Sequence, residues 1–195
     1  MILLDKEGIS VCIVDTGSYD DTVIEKMFNV ADDYIKQRIQ KLKNEQQKIN
    51  ALVGSALRKY LIKKRFDLSF DDQIVGFEKN GKPFLKNHPN IHFNISHSGN
   101  FVACAVGDKP VGIDIERISK FNEKVAKYVF WDDEIQNILI SNEPDVEFTK
   151  MWSKKEACVK LSGVGIQGLK KERFDNVLIV QKILGDYVLT VAEYK

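Results

Sequence analysis

Cysteine is scarce in this chain of 195 residues, with only Cys12, Cys104 and Cys158, each widely separated from the others and set among apolar neighbours. That excludes a disulfide framework and a cysteine-based zinc site, and fits buried thiols in a reducing compartment. Long hydrophobic runs are missing too: no stretch approaches the ~20 apolar residues of a membrane span, and residues 1–7 lack the apolar core of a signal peptide. A charge of one sign is also absent. Lys plus Arg number 29 against 28 acids, and the net charge of +1 gives no global pull toward nucleic acid or anionic membrane. These absences point to a cytoplasmic protein that uses neither a membrane nor nucleic acid, and any electrostatic binding must be local. A hydrophobic content of 44% is enough for a proper core, in one sizeable domain or two small ones.

Residues 9–14 alternate enough to be a strand, and Gly17 and Ser18 mark a turn. Residues 22–64, without proline and rich in Lys, Gln, Glu, Leu and Ala, should be helical. The polar stretch 44–50 predicts two helices, the second over residues 47–63. This region carries Lys36, Arg38, Lys48, Arg58, Lys59, Lys63, Lys64 and Arg65. Such a run is either a solvated helix face or a cluster for phosphate groups. A short strand over 73–78 precedes a turn at Asn80-Gly81-Lys82-Pro83, where Lys82 should be exposed. Residues 91–96, 101–106 and 111–116 then read as three strands joined by short turns, an antiparallel meander.

The last of these strands, Val-Gly-Ile-Asp-Ile-Glu, alternates apolar Val111, Ile113 and Ile115 with Gly112, Asp114 and Glu116. The two carboxylates share a face, about 6.5 to 7 Å apart along the strand, a spacing that suits a shared hard cation and equally an ordinary exposed face. Gly112 should leave that face open on one side. His97, between Ser96 and Ser98, is either a hydrogen-bonded turn residue or a functional group in a polar turn.

Beyond residue 117 the chain turns helical over 120–130, from a cap at Asp132, and over 146–161, with Gly163 closing the last helix. On that helix Trp152, Glu156 and Lys160 fall at about 0°, 40° and 80°, with Lys155 at about −60°, so all four should lie on one side. They form either a surface salt-bridge ladder or a stripe pressed against something; Trp152 favours the second. Residues 176–181 and 187–192 read as a hairpin around Gly185-Asp186.

The strand Gly-Ile-Asp-Ile-Glu, the turn Asn-Ile-Ser-His-Ser before it and Trp-x-x-Lys-Glu-x-x-x-Lys after it, in this order, resemble the 4'-phosphopantetheinyl transferase superfamily. The resemblance is to the surfactin-synthetase-activating, single-chain type, and covers residues 81–165 most specifically. It implies an α/β (α+β) fold of two similar halves with antiparallel sheets, packed helices and a pseudo-twofold. Residues 1–108 would supply coenzyme A phosphate contacts and residues 109–195 the magnesium-binding and catalytic groups. The implied activity moves the 4'-phosphopantetheine arm of coenzyme A onto a serine of an apo acyl, peptidyl or aryl carrier protein, in fatty acid, polyketide or nonribosomal peptide biosynthesis, releasing 3',5'-ADP. By the same resemblance Asp114, Glu116 and Glu156 hold Mg²⁺, Glu156 deprotonates the serine, and Lys160 stabilises the transferring phosphate. Lys82, His97 and Lys155 match positions that contact the coenzyme phosphates, with Ser96 beside them. Aligned on Gly54, a basic coenzyme-contacting position falls at Asn50 with Lys48 nearby, and upstream lysines correspond to Lys36 and Arg38. The resemblance implies a monomer. The alternative is a coenzyme A or carrier-binding protein of the same fold without turnover.

Overall fold

A computed structural model of the chain describes residues 2–6, 8–165, 169 and 173–195. It divides into two compact units, Met1–Pro110 and Val111–Lys195, each α+β with an antiparallel sheet and one long helix.

In the first unit β1 (Ile2–Lys6), β2 (Ile9–Asp15), β5 (His92–Ser98) and β6 (Phe101–Gly107) form an antiparallel sheet in the order β1-β2-β6-β5. Cys12 and Val14 of β2 stand opposite Cys104 and Val102 of β6, and with Phe93 they meet Val53, Leu57, Leu61 and Ile62 of the helix α3 (Glu45–Phe66). The three thiols are buried and free. A short hairpin, β3 (Val75–Phe77) with β4 (Pro83–Leu85), stands in the expected place.

The helical region holds three helices where two are expected: α1 (Asp21–Val30), α2 (Asp33–Gln40) and α3. The polar stretch 44–50 is not a break. Asn44 caps α3, accepting from the Gln47 N–H at 3.0 Å, and the helix runs on through it. The unexpected break is at Ala31 and Asp32, both in extended backbone. Tertiary contacts impose it: Ala31 is buried with Ile35, Ile39 and Leu52, and the Asp32 carboxylate accepts from Arg58 at 2.6 Å and from Ser55 at 2.9 Å.

The three successive strands do not form one meander. β7 (Val111–Arg117) leaves the first sheet and pairs with β9 (Tyr187–Tyr194), which pairs with β8 (Val177–Leu184). The reason is that a strand has two edges. Those of β6 are taken by β5 and by β2, the latter registered from Ile9 opposite Gly107 to Asp15 opposite Phe101.

The second unit adds α4 (Glu123–Val129), α5 (Asp132–Leu139) and α6 (Pro144–Ser162). Asn122 caps α4, accepting from the N–H groups of Lys124 and Val125. Asp132 is the first residue of α5 and not its cap; Trp131 holds the cap position and its N–H donates to Glu134 at 2.8 Å. Pro144 opens α6 where a missing N–H costs nothing, and Gly163, at φ 74°, closes it as expected. No helix among the described residues is long and apolar enough to cross a membrane.

Candidate active site

Strand alternation puts Gly112, Asp114 and Glu116 on one face of β7, and α6 lies on that face. The expected open side at Gly112 is closed. A Cβ there would stand 2.0 Å from the Ala157 carbonyl oxygen and 2.8 Å from the Leu161 nitrogen, so only glycine lets the helix backbone seat so closely. Ser153 and Thr190 share a buried hydrogen bond of 2.7 Å, and Gln181 donates to Thr190 at 2.9 Å. Thr190 is the register partner of Asp114, so this bond ties α6 to the sheet beside that carboxylate. The sequence reading missed Ser153, Gln181 and Thr190; their polarity on otherwise apolar faces was the available signal.

Two contacts join helix to strand at the carboxylates. The Lys160 ammonium donates to Asp114 Oδ1 at 2.7 Å, and the Trp152 indole donates to Glu116 Oε1 at 3.2 Å. Asp114 is 1% exposed. Glu156, on α6 between Trp152 and Lys160, is half-buried. Burial pushes its carboxyl above the usual range; the Lys160 charge opposes the rise and the Asp114 charge adds to it. On α6, Glu156 stands one helical turn from both Trp152 and Lys160, the two residues that bond to the strand carboxylates, in support of the pressed stripe over the surface ladder.

Lys155 is not on that side. Its amine is buried, donating to the Val129 carbonyl at 2.8 Å, 3.4 Å from Glu134 and over the Phe130 ring. Burial chiefly holds its pKa down, with Glu134 opposing. The helical wheel explains the split, since about −60° and about 80° lie some 140° apart, too wide for one face. Lys155 joins the end of α4 to the start of α5.

Among the described residues, no three His, Cys, Asp or Glu side chains are drawn together as a ready metal cage. The donor set still suits a magnesium ion. Asp114, Glu116 and Glu156 offer hard oxygens, and Mg²⁺ commonly takes one or two carboxylates and completes its shell with water and substrate phosphate oxygens.

In the first unit the expected phosphate contacts are spread over several elements. Ser96 is buried and His97 exposed, and as neighbours on β5 they project to opposite faces. The turn after His97 is clamped: Asn50 donates to the Gly99 carbonyl at 2.9 Å, Gln46 donates to Asn50 and to Thr16, and Thr16 donates to the Asn100 carbonyl. Asn50, at the position where the family likeness puts a basic residue, is thus 3% exposed and ties α3 to that turn. Lys48 pairs with Glu45 at 2.6 Å, and Arg38 is exposed in the last turn of α2. Arg58 is no surface cation; it is fully buried against Asp32 and over the Phe93 ring. Lys82 is half-buried where exposure is expected, and burial holds its pKa down with Glu78 opposing. His92, unremarked in the sequence, senses the Lys82 charge.

Residues 21–109 match the family model described as 4'-phosphopantetheinyl transferase, N-terminal, and residues 110–191 match that of the 4'-phosphopantetheinyl transferase superfamily. The chain belongs to this superfamily. Similar relatives include the 4'-phosphopantetheinyl transferase psf-1 of Bacillus pumilus, 41% identical over 117 residues, covering 59% of this chain and 50% of the relative. The 4'-phosphopantetheinyl transferase Sfp of Bacillus subtilis strain 168 is 30% identical over 133 residues, 67% of this chain and 59% of the relative. The 4'-phosphopantetheinyl transferase gsp of Aneurinibacillus migulanus is 39% identical over 133 residues, 63% and 52%. The chain spans about half the length of the curated relatives it matches.

Proposed function

We propose that this chain transfers the 4'-phosphopantetheine arm of coenzyme A to a serine of an apo carrier protein, with release of 3',5'-ADP. The observation that supports the reading is the seating of α6 on β7, where Lys160 bonds to Asp114 and Trp152 to Glu116, with Glu156 between them on the helix. In such a transfer the serine oxygen forms a bond to the phosphorus that bears the pantetheine arm, the bond from that phosphorus to the ADP oxygen breaks, and the serine proton leaves. Glu156 accepts the proton: burial raises its pKa above the ordinary carboxylate range, which makes it a better base. Lys160 supplies compact positive charge to the phosphate oxygens as negative charge shifts onto the leaving group. Asp114 and Glu116, with Glu156, would hold Mg²⁺, which supplies charge neutralisation on the diphosphate. Trp152 fixes Glu116 through its indole hydrogen bond. Lys82, Ser96, His97, Lys48 and Arg38 are proposed contacts to the coenzyme phosphates. Lys155 is left out of that set because its amine is held at Val129 and Glu134.

The test is incubation of the full chain with coenzyme A, Mg²⁺ and a panel of apo acyl, peptidyl and aryl carriers, followed by mass spectrometry of each carrier. Addition of the arm to at least one carrier is expected. Asp114→Ala should lower the rate by about 10²-fold or more, the scale of losing a charge-stabilising group. Coenzyme binding without any transfer would overturn the enzymatic reading.

A further inference from the structure

Asp114 presents a problem of charge. Its side chain is 2% exposed, and a carboxylate so placed needs a compensating cation. Here that cation is Lys160, at 2.7 Å. We propose that the Lys160 ammonium occupies, at Asp114, the cation position that a divalent metal takes over, so that metal entry and release of Lys160 toward the coenzyme phosphates are coupled. The proposal rests on the transferase reading above, and concerns the order and coupling of events at that site.

Three observations carry it. The carboxylate itself cannot retreat, because β7 and α6 meet at backbone contact: the space for a Cβ at Gly112 is filled by the Ala157 carbonyl and the Leu161 nitrogen. The Ser153–Thr190 bond beside Asp114 adds to that seating. Lys160, by contrast, is 27% exposed in its side chain, at the rim of the site on a flexible four-carbon stem, so it can swing without moving backbone. Finally, Glu156 stands one helical turn before Lys160 on α6, so a second carboxylate is offered on the same face of the helix as the displaced ammonium. An ammonium and a divalent ion held on one carboxylate repel each other, so each weakens the other's hold there. Lys160 then has a phosphate to move to when coenzyme A is bound, and by linkage the coenzyme raises metal affinity as the metal raises coenzyme affinity.

Mn²⁺ is the probe, titrated into the full chain without coenzyme and followed by calorimetry or by its electron paramagnetic resonance signal. Lys160→Gln removes the competing charge and should bind Mn²⁺ about tenfold more tightly than wild type, within the usual range of coupled sites. Lys160→Arg holds the carboxylate with a bidentate fork and should bind it more weakly than wild type. If Lys160→Gln does not fold, the difference between Lys160→Arg and wild type carries the test alone. Equal affinities across the folded variants, or the reverse order, would overturn the proposal. Transfer to an apo carrier is measured on the same wild-type sample. Transfer with no affinity order removes only the competition; the affinity order without transfer removes only the transferase reading; neither Mn²⁺ binding nor transfer removes both.

Discussion

Each unit lays a long helix across an antiparallel sheet with a glycine at the crossing, but the glycine is on opposite partners. In the first unit it is Gly54 of α3, where a Cβ would meet the Ile95 methyl at 3.0 Å and Val102 at 3.8 Å. In the second it is Gly112 of the strand, where a Cβ would meet helix backbone at 2.0 Å. The charges beneath the helices differ in the same sense. Arg58 and Asp32 are sealed, with side chains 0% and 12% exposed, and their neighbours Ser55 and Gln73 serve as hydrogen-bond partners. Asp114 is as deeply buried, but its partner Lys160 opens to solvent and stands one helical turn from Glu156. Burial of a charge therefore does not mark a site. What separates the two pairs is the exposure of the cation, 27% for the Lys160 side chain against 0% for Arg58.

The largest effect that separates the units should come from the two glycines. Gly112→Ala forces α6 off the strand, because backbone cannot give way as a side chain can, and should cost about 3 kcal/mol or more with near-complete loss of transfer. Gly54→Ala should be close to neutral: a helical alanine gains about 1 kcal/mol over glycine, and the Ile95 methyl can move by a few tenths of an ångström. Urea unfolding of both variants measures the difference. Equal costs would mean that the close approach at Gly112 plays no special part.

The buried cations come next. Arg58→Met removes the shorter of the two ion pairs of Asp32, leaving Lys59 at 3.3 Å, and should cost about 2 kcal/mol, the scale of a hydrogen bond to a charged group, with unchanged transfer per folded molecule. Lys160→Gln should instead lower transfer by about 10²-fold at temperatures where it is fully folded. If Arg58→Met lowers transfer as much, the division between a structural and a catalytic cation fails.

What the sequence disclosed was mainly what is local. Alternation gave β5, β6 and β7 to within two residues, and Gly163 predicted the end of α6, because side-chain period and cap geometry are decided within a few residues. The ordered motifs around Asp114, His97 and Glu156 led to the family. Sheet membership was hidden, since it depends on which edges of β6 a distant strand, β2, already holds. The break at Ala31 carries neither glycine nor proline and follows from the reach of Asp32 to Arg58, 26 residues on. Lys155 parts from Lys160 because the four motif residues spread over about 140°, too wide for one helix face. At Gly112 an absent side chain looks like open space until the helix that fills it is known.

The smallest effect concerns how each unit treats a lysine. Lys160 meets a carboxylate directly, whereas Lys82 is half-buried and bears on a histidine. His92 titrates below the ordinary histidine value, first because burial penalises its charged ring and then because Lys82 repels it, with Asp108 opposing. Removing the lysine charge in Lys82→Met should raise the His92 midpoint in an NMR titration, yet leave it below the ordinary value, since the larger cause remains. The unfolded chain binds the proton more readily than the folded one, so the wild type loses stability as pH falls through the unfolded histidine range, near 6.5. In Lys82→Met that acid-side loss should shrink in step with the midpoint. A midpoint that does not move would mean the Lys82 charge is screened from His92.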